Sequence, residues 1–453
     1  MEKRQNTCGY QDKFYKMVLS IAVPVTMQSL LQSSFSVIDQ MMIGKLGSGS
    51  VAGVGLGGKF ASIYSVLLGA VMAAAGIMIS QYVGQKEEKE ISRSFFSNLI
   101  LAGTLAGCFM AVSMFCPEKI IWLYTKDPDT QRIAAGYLRV IALTYLPMAF
   151  SNLSATYLRC MEAAMMPLYA NIAGAVINTG LNYLLIFGKA GFPALGVTGA
   201  AIATVVSQLV VCALTMLFFF QNNRKQKRKL QFLWRFTGKK RIQFWGILCP
   251  IILCEFFWSL GENVYTAIYG NIGTAACAAM TLTVPLQVLL IGALSGLAQA
   301  AGILIGKTLG SGAYDRAYRE AKKLMLCGLC GSLLLSALLL LAGRFYVDIY
   351  QVEPEVKRSA FQILIAFALI APAKVENMIL GGGILRSGGK TKYIMVIDFI
   401  GTWLFGVPLG LLAAFVWRLP VPWVYFLLSL EECVRLAISL VLFRKKIWMR
   451  SLG

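Results

Sequence analysis

The chain has 453 residues, 57% of them hydrophobic and 14% charged, whereas soluble globular proteins are nearer half apolar and about a quarter charged. Long apolar runs recur from end to end and no polar stretch is large enough for a separate soluble domain, so a soluble enzyme or binding module is excluded. The formal net charge of +21 would suggest nucleic-acid binding in a soluble protein, but here the basic residues gather between apolar runs and at both ends, where they set membrane topology.

Residues 1–16 are polar, and the apolar run that follows outlasts a signal-peptide h-region, so it reads as a retained first span. A bilayer-spanning helix needs roughly 20 apolar residues. Cutting the chain at polar and Gly/Pro breaks gives twelve such spans, beginning near Met17, Val51, Phe95, Ile133, Pro167, Val197, Phe244, Ala275, Leu324, Phe361, Tyr393 and Val421. Three basic segments test the count: the N-terminus (Lys3, Arg4, Lys13, Lys16), residues 221–243, and the tail with Arg444, Lys445, Lys446 and Arg450. Six spans on each side of the middle segment place all three on the cytoplasmic face, together with the loops at 84–94 and 307–323. Lys45 and Lys189 fall on the other face. The expected location is the cell membrane, plasma or inner, with both termini cytoplasmic.

The first span ends in SFSVIDQMMIGKLG (34–47), which holds Asp39 fifteen residues after Pro24. Gln28, Ser29, Gln32, Ser33, Ser34 and Ser36 share that helix. Such residues cannot face lipid cheaply, so Gln28, Gln32 and Ser36 are expected to line an internal cavity. A desolvated carboxylate at Asp39 is suited to take up a proton or a hard cation. The fifth span supplies INTGLNYLLIF (177–187), with Asn178 and Asn182 at i and i+4 on one face. Their amides offer carbonyl oxygens to Na⁺ or hydrogen bonds that orient a carboxyl group; the structural reading is hydrogen bonding between helices.

In the second half the intramembrane ionisable residues are Glu255, Glu262, Lys374, Glu376 and Asp398. Each costs at least a few kcal/mol and is a functional candidate by default, or a charge that snorkels or pairs with a neighbour. Lys374 and Glu376 are two apart and do not share a helix face. The chain has no histidine, which removes the commonest metal ligand and proton-transfer side chain. Most of the eleven cysteines, such as Cys108, Cys212 and Cys277, lie in apolar runs, where free cysteine behaves as a small hydrophobe. No disulfide framework is expected.

The two halves repeat. AAGIMISQYVG (74–84) matches AAGILIGKTLG (300–310) at six of eleven positions, and LYTKDPDTQRIA (123–134) aligns with IYQVEPEVKRSA (349–360) at the same offset. Pro24 pairs with Pro250, Gly44 and Gly47 with Gly270 and Gly273, and YLR (157–159) with ILR (384–386). An even number of spans per copy makes them parallel repeats, an architecture in which substrate sites lie between halves near the midplane. The expectation is an all-α polytopic membrane protein of twelve transmembrane helices in two six-helix bundles. The division is a lobe over 1–220, a basic cytoplasmic linker over 221–243 and a lobe over 244–453.

Several soluble-protein motifs occur by coincidence. GVGLGG (53–58) has no βαβ context and reads as small residues that let helices approach. GGGILRSGGKT (381–391) looks like a phosphate loop, but the required first glycine falls at Ile384, so no ATP site is assigned. CGLC (327–330) sits in an apolar helix, and NLS (152–154) inside a span.

The IAVPV start (21–25), the Pro24-to-Asp39 spacing, IGKLG (43–47), NTGLNYLLIFG (178–188), AAGILIG (300–306) and LRSGGKTKY (385–393) resemble multidrug and toxic compound extrusion (MATE) transporters over essentially the whole chain. The resemblance implies a secondary antiporter that exchanges H⁺ or Na⁺ for amphipathic, often cationic organic compounds by alternating access. It implies no other cofactor, no nucleic acid, and a monomer. In the family, a first-helix Asp with a fifth-helix Asn and Asp surrounds the N-lobe cation or proton site. Asp39 and Asn178 match, while Asn182 is an amide where the family has an acid, so one formal carboxylate remains; this weakens the case for tight Na⁺ binding at Asp39 and Asn178 and leaves both H⁺ and Na⁺ as coupling ions. Glu255 lies nearer Pro250 than the family's seventh-helix Glu, Glu376 approximates a tenth-helix acid, and Asp398, in VIDFIGTWLFGVPLG, resembles an eleventh-helix acid. These three are the candidates for C-lobe coupling or substrate contact.

The alternative is a flippase for a lipid-linked saccharide or other lipid precursor, which can share this repeat architecture. A flippase for an anionic headgroup wants several cavity-facing Arg or Lys residues, and the first and fifth spans show none. A channel or scaffold is disfavoured by the duplicated halves and the buried acid, and an enzyme by the lack of any catalytic constellation.

Overall fold

The computed structural model describes residues 2–350 and 352–452; for residues 2–12 and Ser48 only the backbone is described, so the Lys3 and Arg4 side chains lie outside it. Every regular element among the described residues is helical. Among the described residues, eleven helices are long and apolar enough to cross a membrane. They are α1 (Glu2–Gly44), α2 (Ser48–Gln85), α3 (Glu88–Phe115), α4 (Pro128–Cys160), α5 (Met165–Phe187) and α6 (Gly196–Lys225). In the second half come α7 (Lys239–Ile272), α8 (Thr274–Gly310), α9 (Tyr314–Asp348), α10 (Pro354–Leu385) and α11 (Thr391–Val416). The twelfth, α12, is broken at Leu430 into Val421–Ser429 and Glu431–Arg444. The chain is thus an all-α polytopic membrane protein with the expected repeat.

Local chemistry sets the ends. Asp127 caps α4: its carboxylate accepts from the Thr130 backbone N–H at 3.0 Å, and this bonding holds the carboxyl below its usual range. Pro128 follows at the first helical position, where its missing N–H costs nothing. Helix α5 stops at Gly188, whose φ of +63° and close approach to Ala194 leave no room for a Cβ. Pro24, Pro250, Pro285 and Pro372 sit inside α1, α7, α8 and α10. Helices α10 and α11 widen into π-type turns at Met378–Leu385, Ile400–Gly406 and Leu412–Val416, a feature that clusters at functional sites.

Packing divides the chain into two compact units. One holds Met27–Ile79 and Glu87–Arg241; the other holds the chain to Thr26, Ser80–Lys86 and everything from Ile242. This departs from a split at 1–220 and 244–453, because the start of α1 and the last turns of α2 pack with the C-terminal half. The reason lies in the repeated stretch itself. A Cβ at Gly84 would overlap the Lys307 carbonyl, one at Gly310 the Gln81 carbonyl, and one at Gly306 the Ser80 hydroxyl. The best-matched segments of the repeat therefore cross each other, backbone to backbone, with glycine at each contact. Gln81 Nε2 then donates to Ser387 O at 2.5 Å, and Gln85 Nε2 to Ser451 Oγ at 2.8 Å.

The basic linker lies against α3 within the first unit. Ser97 Oγ donates to Trp234 O at 2.7 Å, the Phe96 and Phe232 rings meet edge to face, and Lys240 Nζ is 2.9 Å from Glu90 Oε1. In that unit Gly53 and Gly57 do what small residues were expected to do. Built Cβ atoms there would stand 2.5 Å from Ile133 Cγ2 and 2.8 Å from Tyr137 Cδ1, so α2 and α4 pack at close range. The described cysteines are free.

Candidate functional site

In the first unit α1 and α5 bring Asp39, Asn178 and Asn182 together. Asn182 Nδ2 donates to Asp39 Oδ1 at 2.7 Å and to Asn178 Oδ1 at 3.1 Å. The same Asn178 amide atom lies 3.0 Å from Asp39 Oδ1 and 3.2 Å from Oδ2. The other end of that amide faces the hydroxyls of Thr204 and Ser207 on α6, each at 3.4 Å. Asn178 and Asn182 are buried and Asp39 half-buried.

Three polar atoms thus form a triangle with sides of 2.7, 3.1 and 3.0 Å. An ionised carboxylate only accepts hydrogen bonds, and an amide has one accepting and one donating end. With the Asn178 oxygen toward Asp39, two acceptors confront each other; with the nitrogen there, both amides donate to an ionised carboxylate. A proton on Asp39 suits the first orientation, because its O–H donates to Asn178 while Asn182 donates to both. A cation between the two oxygens would serve the same end, but Asn182 offers that space a donor.

The sequence-predicted cavity residues on α1 fare differently. Gln28 Oε1 accepts from Arg159 Nη2 of α4 at 2.9 Å. Gln32 and Ser36 are exposed, and nothing in the unit encloses them.

The second unit carries a charged network centred on Arg386 and Arg435. Arg386 Nη1 donates to Glu255 Oε1 at 3.3 Å, and its Nη2 to Cys254 Sγ at 3.2 Å, with Asp398 Oδ2 4.0 Å away. Cys254 Sγ donates to Asp398 Oδ2 at 2.8 Å. Arg435 Nη1 lies 3.8 Å from Asp398 Oδ1, while Arg435 Nη2 donates to Glu431 Oε1 at 3.1 Å and to Thr402 Oγ1. Tyr265 OH donates to Glu431 Oε2 at 2.5 Å, Asn377 Nδ2 to Glu432 Oε2 at 2.9 Å, and Lys374 Nζ stands 3.8 Å from Glu432. A cavity of about 270 Å³ opens beside it, lined in part by Glu262, Tyr265, Lys374, Tyr425, Glu431 and Glu432. Four acids (Glu255, Asp398, Glu431, Glu432) thus meet three cations (Lys374, Arg386, Arg435).

Of the predicted acids, Glu255 and Asp398 are brought together through Arg386. Glu376 is not part of that network: it is buried against α9, its Oε1 taking the space that a Cβ at Gly328 would fill. Sequence reasoning missed Glu431, Glu432 and Arg435, although EECVR inside the twelfth apolar run puts acid and base at i, i+3 and i, i+4 on one face. It also missed that the YLR/ILR match carries a conserved side-chain pairing between the two halves. Arg159 and Arg386 are 227 residues apart, and so are their partners Gln28 and Glu255. The repeat keeps one clasp and charges it only in the second unit.

The MatE family model matches residues 24–184 and again 250–412, each copy starting at the helix proline of its half. The chain is 21% identical, over 97% of its length and 96% of the relative's, to the uncharacterized transporter YisQ of Bacillus subtilis (strain 168). It is 26% identical, over 90% of both chains, to a probable multidrug resistance protein, NorM, of Bacillus cereus. Among solved structures, a mutant of the Vibrio cholerae MATE transporter VcmN superposes with a TM-score of 0.87 at 17% identity, over 97% of this chain and 99% of that one. A multidrug resistance MATE family transporter in an outward-facing conformation gives 0.86 at 16% identity over 95% of both. The duplicated model, the matching fold and the helix prolines agree: this chain is a multi-pass membrane protein that belongs to the MatE family of transporters.

Proposed function

We propose that the protein is a secondary active antiporter that exports amphipathic, cationic organic compounds in exchange for H⁺ by alternating access. Asp39 is the coupling group and Asn178 and Asn182 are its positioning partners. The observation that supports this reading is the Asp39–Asn178–Asn182 triangle, a half-buried carboxyl whose two amide partners satisfy it ionised with one orientation of Asn178 and protonated with the other. Proton uptake from outside neutralises Asp39, and proton loss inside restores its charge and turns the Asn178 amide to donate to it. Inward movement of a unit charge is favoured by roughly 2 kcal/mol per 100 mV. The printed names of the multidrug relatives support the cargo class. The positive-inside pattern supports an orientation in the cell membrane with both termini in the cytoplasm.

The test is dye efflux from proteoliposomes driven separately by a pH gradient and a sodium gradient. The pH gradient should drive efflux, and Asp39→Asn should abolish it at normal expression and folding. Full activity in that variant, or efflux driven by sodium alone, refutes the assignment.

A further inference from the structure

At one end of the second unit the first turns of α7, the turn between α10 and α11, and the tail after α12 enclose an open cavity of about 550 Å³, within the size range of small-molecule sites. Its lining includes Lys390, Lys392 and Arg450 and no acid. None of these three cations forms an ion pair among the described residues. Other polar groups in the lining are already committed: Thr391 Oγ1 donates to Ile247 O at 2.9 Å and Gln243 Nε2 to Leu452 O at 3.3 Å. Three like charges therefore share one concave surface, and an anion seated among them relieves their repulsion.

One side of the cavity turns apolar. Tyr393 and Val396 of α11 line it and are 43% and 48% exposed. These residues begin a membrane-spanning helix, so the apolar margin faces acyl chains while the basic end sits at headgroup level. The tail is built in as the third wall. The Leu452 backbone N–H donates to Gln81 Oε1 at 2.8 Å, and a Cβ at Gly388 would overlap the Trp448 carbonyl. The two glycines of SGGKT thus serve to seat the tail, which fixes Arg450 beside Lys390.

We propose that this cavity binds the phosphate of an anionic phospholipid, with Lys390, Lys392 and Arg450 around the headgroup and an acyl chain along Tyr393 and Val396. Basic pockets between transmembrane helices are known receptors for such headgroups. Inorganic phosphate shares the charge but cannot use the apolar margin.

The experiment uses purified full-length protein in neutral detergent. It is titrated with phosphatidylglycerol, or with phosphatidylcholine plus inorganic phosphate, and read by native mass spectrometry and thermal unfolding. Phosphatidylglycerol should be retained and should raise the unfolding temperature. The variant K390Q/K392Q/R450Q should weaken retention by about a hundredfold, while K225Q/K227Q/K229Q in the linker should leave it unchanged. Equal retention by the first variant, equal loss in the linker variant, or the same stabilisation by phosphatidylcholine with phosphate would each overturn the proposal.

Discussion

Removing the Arg386 guanidinium tests the charged network of the second unit, and the repeat supplies an internal reference. In Arg386→Met, Glu255 loses a cation 3.3 Å away and Asp398 one 4.0 Å away. Asp398 keeps the Cys254 thiol at 2.8 Å and Arg435 at 3.8 Å, so Glu255 is the group left uncompensated. A unit pair at 3.3 Å is worth about 5 kcal/mol at an effective dielectric near 20, before desolvation is subtracted. Stripping one partner from a buried pair costs about 3–5 kcal/mol. With the Glu255 side chain 29% exposed and Arg386 16% exposed, the lower end, about 3 kcal/mol, applies.

Glu255→Gln should behave differently. Gln28 already accepts from Arg159 at 2.9 Å at the matching place in the other unit, so an amide fits the clasp. Arg386 would keep Asp398, and the cost should stay near 1 kcal/mol. The double variant should recover about 1–2 kcal/mol of the Arg386→Met loss, because the orphaned charge is gone. The assay is unfolding in mixed micelles titrated with a denaturing detergent, comparing midpoints at constant slope. Arg386→Met unfolding together with the wild type, or Glu255→Gln costing as much as Arg386→Met, would refute the reasoning.

Two other substitutions probe the close helix contacts. Gly57→Val should destabilise the first unit by about 1–3 kcal/mol, because even the first carbon meets Tyr137 at 2.8 Å and the Ala134 carbonyl at 3.2 Å; an unchanged unfolding midpoint would contradict it. Gly388→Ala should lift the tail from its seat without unfolding the helices, since the added carbon overlaps the Trp448 backbone. Faster protease cleavage after α12 with an unchanged helical circular dichroism signal is the expected readout, and unaltered cleavage the contrary one.

Much of this was legible along the chain. Apolar runs of bilayer length set the helix count because lipid permits no unpaired backbone, and α12 differs from the others in its break at Leu430 and in carrying Glu431, Glu432 and Arg435. Asp39, Asn178 and Asn182 stood out because polar residues in a lipid-crossing helix need a reason, and the i, i+4 spacing put the two amides on one stripe. Glu376 failed to join Glu255 and Asp398 because helix rotation, unlike composition, depends on every neighbour; its carboxyl packs instead against α9 beside Gly328.

By itself the sequence determined the class of molecule, its internal duplication and the short roster of charges that membrane burial makes expensive, since these follow from residue type and periodicity alone. Only the tertiary structure decided which of those charges meet. The Arg386–Glu255–Asp398–Arg435 network joins four helices over 180 residues of chain, from 255 to 435, and the packing that seats α2's last turns with the second unit runs through glycines. Such pairings depend on distances across helix contacts, which no one-dimensional pattern records.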